Sequence, residues 1–135
     1  MSQEDVERLR QAYDAVNQGD FEPFLAGAHP DLEYRANLQA VMGESGIYRG
    51  REGLAEYVKD LRSVWSSWRW ILKEVSTLDE AHVLAVIDWE GVGLRSSVPV
   101  TVHAVVMFTF QDGLVIRAED HLTRQAALAA AGLEE

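Results

Sequence analysis

The chain has 135 residues, 47% hydrophobic and 25% charged, and its 12 basic and 22 acidic residues leave a formal charge of −10. That length fits one domain with a sizeable core, and so acidic a surface repels phosphate backbones and anionic lipids, which excludes nucleic acid and membranes as expected partners. The absence of cysteine removes disulfides, zinc–thiolate sites, iron–sulfur clusters and thiol nucleophiles.

The opening MSQEDVERLR is acidic and amphipathic, unlike a signal or transit peptide. No apolar run approaches the roughly 20 residues of a membrane span, so the cytoplasm is the expected compartment. Val6, Leu9, Tyr13 and Val16 recur at helical spacing and Gly19 stops the run, predicting a first helix. DFEPFLAGA fits a second, short helix, with Asp20 as its cap and Pro23 in the tolerated first turn. In the strand DLEYRA, Leu32, Tyr34 and Ala36 share a face. NLQAVMGESGIYRG has three glycines and no period, and reads as a loop. Leu54, Tyr57, Val58, Leu61 and Val64 then mark a third helix.

Beyond Trp65 the apolar period drops from about 3.6 residues to about 2. SWRWILKEVSTL, HVLAVIDWEGVGL, VPVTVHAVVMFTF and LVIRAEDHL are four long strands. LDEA and QDG supply hairpin turns, Asp112-Gly113 being the stronger signal. RQAALAAAG closes the chain as a short helix stopped by Gly132. The predicted class is α+β: three N-terminal helices packed on one face of a strongly curved, mainly antiparallel sheet, enclosing a pocket within a single domain, residues 1–135.

The last strand breaks its own pattern. Leu114, Ile116, Ala118 and Leu122 share one parity, and Asp120 falls among them. A carboxyl on a core-facing position is desolvated, which raises its pKa toward a range useful for proton transfer. The structural alternative is an acid hydrogen-bonded to a neighbouring Arg, Trp or Tyr. His121 alternates to the opposite face. His29, His82, His103 and His121 include no pair at i, i+2 or i, i+4, so neither a metal nor another cofactor is expected.

AYDAVNQGDFEPFLAGAHPDLEY, YRGREGLAEYV and FTFQDGLVIRAEDHLTRQAALAAAGL resemble, in this order, the SnoaL-like branch of the nuclear transport factor 2 (NTF2-like) superfamily. The resemblance implies a cone-shaped α+β barrel with a deep pocket, in a homodimer. The scaffold hosts several chemistries, so the site residues decide among them. Ketosteroid isomerase, whose aspartate base faces a tyrosine and a protonated aspartic acid in the known case, aligns these groups with Tyr34, Ala12 and a position near Val106, and none matches. The epoxide hydrolases of the superfamily use two aspartates bridged by an arginine. Asp88 and Asp120 fall near the aspartates, the arginine is absent, and Tyr34 and Asn37 echo the water-positioning pair loosely. SnoaL-type cyclases need one pocket aspartate and no metal.

Asp120 is therefore the expected acid/base, with Asp88 a second carboxylate if it faces the pocket and Tyr34 a hydrogen-bond donor to a substrate oxygen. Trp68, Trp70, His103, Phe108 and Leu122 are the expected substrate-binding residues. The expected ligand is a small apolar organic molecule, and the expected reaction is cofactor-free hydrolysis of an epoxide, isomerisation or cyclisation. The alternative is a non-catalytic binding or dimerisation module, with the pocket filled by Trp and Phe and Asp120 held in structural hydrogen bonds.

Overall fold

The computed structural model describes residues 2–37 and 46–133. The elements run α1 (Ser2–Asn17), α2 (Glu22–Ala26), β1 (Ala28–Arg35), β2 (Ile47–Arg49), α3 (Gly50–Val64), β3 (Trp65–Thr77), β4 (His82–Gly93), β5 (Pro99–Gln111), β6 (Leu114–His121) and α4 (Arg124–Ala130). They form one α+β unit around a six-stranded sheet in the order β2-β1-β6-β5-β4-β3. All pairings are antiparallel except β1 with β6, which is parallel. The sheet is open, with β2 and β3 as its edges, so the barrel expected from the resemblance does not close.

The segment read as a loop contains a strand. Ile47–Arg49 pairs with β1 through Arg35↔Ile47 and Glu33↔Arg49, three residues too short to show a period. Residues 38–45 of that segment lie outside the described residues. The second helix begins at Glu22, two residues after its expected cap, yet Asp20 Oδ1 still accepts from the Glu22 N–H at 3.1 Å. The β5–β6 hairpin turns on Asp112 and Gly113, with φ of +55° and +78°. Two successive positive φ values match the right-handed twist of the flanking strands, and Asp-Gly tolerates them.

Helices α1 and α3 cover the inner face of the sheet. Leu9, Tyr13 and Val16 from α1 and Leu54, Tyr57 and Leu61 from α3 are buried in one core with Val83, Ala85, Ile87 and Trp89 of β4. Fully burying a side chain such as Leu61 contributes about 1.5–3 kcal/mol. On the outer face, Ala127 and Leu128 of α4 pack on Leu84, Val105 and Met107. No described helix is long and apolar enough to cross a membrane.

Two local devices fix α1 and β3. Asn17, the last residue of α1, donates from Nδ2 to the Trp70 carbonyl and accepts the Trp70 N–H at Oδ1, each at 2.8 Å. β3 is an edge strand, so this amide pairs with an exposed edge position as a neighbouring strand would. Trp65 packs edge-on against Trp89 with ring centroids 4.6 Å apart. A Cβ on Gly91 would lie 2.5 Å from the Trp89 ring and 2.9 Å from Trp65, so only glycine admits both rings.

Candidate functional site

Two adjoining cavities lie between the helices and the inner face. The outer one has a volume of about 450 Å³ and is walled mainly by apolar side chains of α1, α2, β1 and β6, among them Leu9, Ala12, Leu32, Val115 and Ala118. Its size is that of a small-molecule pocket. The inner one has a volume of about 30 Å³ and is lined by Tyr13, Tyr57, Trp70, Ile87, Trp89 and Asp120 with their neighbours. Phe24, Tyr34 and Phe108 line both, forming the partition between them.

Asp120 reaches the inner cavity because β6 pairs Asp120 with Val106 on the inner face of β5. Its residue is only 7% exposed. Asn37 Nδ2 donates to the Asp120 backbone carbonyl at 2.9 Å, holding the strand end in place. Around the carboxyl stand three buried tyrosines. Burial pushes the phenols of Tyr13, Tyr34 and Tyr57 well above their ordinary value, and the charge of Asp120 adds to the rise in each. The Tyr34 and Tyr57 hydroxyls are 3.5 Å apart, longer than the roughly 2.7–2.8 Å of a good O–H···O bond. All three phenols therefore stay protonated and serve as donors rather than bases. Trp70 adds a buried Nε1–H with no acceptor among the described residues.

Of the residues expected from the sequence, Asp120, Tyr34, Trp70 and Phe108 line the cavities. Four others do not, and these expectations are corrected. Asp88 pairs across the ladder with His103 on the outer face, where its Oδ1 lies 2.6 Å from His103 Nδ1 and its Oδ2 3.8 Å from Lys73 Nζ. Asp88 and Asp120 thus stand on opposite faces of the sheet, because alternation in β4 assigns the inner face to Ile87 and Trp89. These two carboxylates therefore do not form the paired-aspartate arrangement of an epoxide hydrolase. His103 lies on that outer face with a side chain 80% exposed. Trp68 shares the inner face with Trp70 but packs on Phe21, ring centroids 6.0 Å apart, outside both linings. Leu122 lies beyond the end of β6 at His121 and is 57% exposed, since the chain there bends into α4.

His121 takes the outer face, as alternation predicts, with Nε2 3.5 Å from Glu119 Oε2. Tyr13 and Tyr57 sit on apolar helix stripes, a pattern that marks core residues whose hydroxyls reach a polar group. Arg8 and Gln11, polar members of the outer lining on α1, carry no such mark. Their signal was the polar edge of an amphipathic helix, which has no functional mark of its own. Among the described residues, no group of three or more His, Asp and Glu side chains is placed to hold a metal ion.

A family model for the SnoaL-like domain matches residues 9–118. Solved structures with the same fold include an NTF2-like protein of unknown function from Burkholderia pseudomallei K96243. It has 16% identity and a TM-score of 0.79, over 93% of this chain and 95% of that one. TerC, co-crystallised with polyporic acid, has 23% identity and a TM-score of 0.78, over 91% of this chain and 94% of that one. A candidate polyketide cyclase from Xanthomonas campestris pv. campestris has 20% identity and a TM-score of 0.70, over 95% and 96%. Comparison with curated proteins gives no match.

Proposed function

The chain belongs to the SnoaL-like domain family, and from that premise we propose that it binds a small, mainly apolar organic molecule in the outer cavity and catalyses proton transfer on it with Asp120. The observation that carries this reading is the shared wall: Phe24, Tyr34 and Phe108 separate a ligand-sized apolar cavity from the carboxyl behind it. Phe24 is the half-buried member of that wall and sits on a helix of only five residues. Displacement of its ring joins the two spaces and brings a bound carbonyl compound within reach of Asp120. The carboxylate takes a proton from the carbon beside the carbonyl, the phenols donate to the enolate oxygen, and the proton returns to that carbon or, where a further double bond conjugates with the enolate, to the far end of the conjugated system. That TerC was crystallised with polyporic acid supports an organic ligand. In this reading the protein works as a cytoplasmic homodimer without metal or cofactor.

The test is exchange of the α-hydrogens of a panel of enolisable aryl ketones with deuterated water, followed by NMR. Wild type is expected to accelerate exchange on at least one ketone, and Asp120→Asn to lose about 10²–10⁴-fold of that acceleration. Equal exchange by both proteins removes Asp120 from the chemistry. One observation favours a second reading, a binding module without catalysis: the inner cavity, about 30 Å³, has room for about one water molecule. In that case ketones bind, and neither protein exchanges them.

A further inference from the structure

Among the described residues, the outer cavity has one charged residue in its lining, and it is a cation. Arg8 is exposed, so it stands where the cavity meets solvent. Its Nη1 donates to the Gly113 carbonyl at 2.9 Å. A Cβ on Gly113 would lie 2.8 Å from that Nη1, so the guanidinium rests against the β5–β6 turn. The turn is a tight two-residue hairpin, which makes it a firm support for a long side chain. No carboxylate lies within 4.0 Å of the guanidinium among the described residues, although the chain carries ten more acids than bases. Nε and Nη2 keep their hydrogens without a protein acceptor among the described residues, and that edge of the guanidinium pairs with a carboxylate through two parallel hydrogen bonds.

We infer that the ligand of the outer cavity is an organic monocarboxylate, with its apolar body inside and its carboxylate on Arg8. The inference rests on the reading that this cavity binds a small apolar molecule, and adds the charged end. A single guanidinium balances a single negative charge. A dianion such as a phosphate monoester would keep an uncompensated charge in the field of a protein of net charge −10. The apolar wall admits the body of the ligand, and Arg8 sets which end remains at the mouth.

Phenylbutyrate and its neutral counterpart phenylbutyramide share an apolar body and differ at the polar end. Both are titrated by calorimetry into wild type, Arg8→Gln and Arg8→Lys; Arg8 is exposed, so the substitutions leave the fold intact. Wild type is expected to bind the carboxylate about tenfold more tightly than the amide. Arg8→Gln should bind the two probes about equally, and Arg8→Lys should keep a preference for the carboxylate. Amide binding with no carboxylate preference in wild type, or a preference that survives in Arg8→Gln, overturns the inference and leaves the cavity a binding site. If neither probe binds wild type, both the inference and the binding reading fall.

Discussion

Asp120 shares the inner cavity with the phenols of Tyr13, Tyr34 and Tyr57, each raised in pKa by burial first and by the charge of the acid as well. The acid is visible in the sequence through alternation, on the parity of Ala118 in a strand whose other face carries His121. The tyrosines around it could not be read that way. Tyr13 and Tyr57 lie on different helices and Tyr34 on a strand, and the convergence of their hydroxyls depends on how these elements pack. Parity leaves the face of Asp88 open, because its strand is apolar on both faces, and only the pairing with β5 decides which face looks inward. The three buried phenols have a measurable consequence. Their folded-state pKa values lie above the unfolded value of about 10. Their contribution to stability is therefore fully present below that pH and is lost as pH rises toward the folded values, since the native state then holds more protons than the unfolded one. Phenolate absorbance from Tyr13, Tyr34 and Tyr57 should appear together with the loss of near-ultraviolet circular dichroism in an alkaline titration. Their ionisation in a protein that keeps its native dichroism would contradict the burial described here.

At the scale of elements, the helices and most of the long strands are legible from their periods, and β4, apolar on both faces, is legible as an apolar run between turns. The parallel β1–β6 pairing joins segments far apart in sequence and has no local mark. The register of β6 holds a further irregularity. Phe110 pairs with Val115 and Thr109 with Arg117, leaving Ile116 without a partner. This bulge shifts the parity, so Val115 rather than Ile116 packs on the core. Gly91→Ala should destabilise the protein by about 1–3 kcal/mol, the usual result of forcing extra volume into a packed site, because the Cβ meets the Trp65 and Trp89 rings. On α4, Thr123 Oγ1 accepts the Ala126 N–H at 3.0 Å. Loss of this cap in Thr123→Ala should cost about 1 kcal/mol. Urea unfolding of both variants measures the two effects, and a Gly91→Ala protein as stable as wild type would show that the rings can separate freely.

For the whole molecule, the distribution of polar groups sets the functional account. The inner face gathers Asp120 and three phenols behind a partition, while the apolar volume large enough for a ligand lies outside it with Arg8 at its mouth. The sequence supported a pocket and an acid within it, but not their separation. Aromatic side chains from α1, α2, α3, β3 and β4 fill the space around Asp120, and their combined volume is a property of the assembled fold. Binding of ligand in the outer cavity is open to an NMR titration of ¹⁵N-labelled protein with phenylbutyramide. The largest amide shifts should cluster at Leu9, Ala12, Leu32, Val115 and Ala118. Shifts confined to the outer face around Asp88 and His103, or no saturable shifts at all, would contradict it.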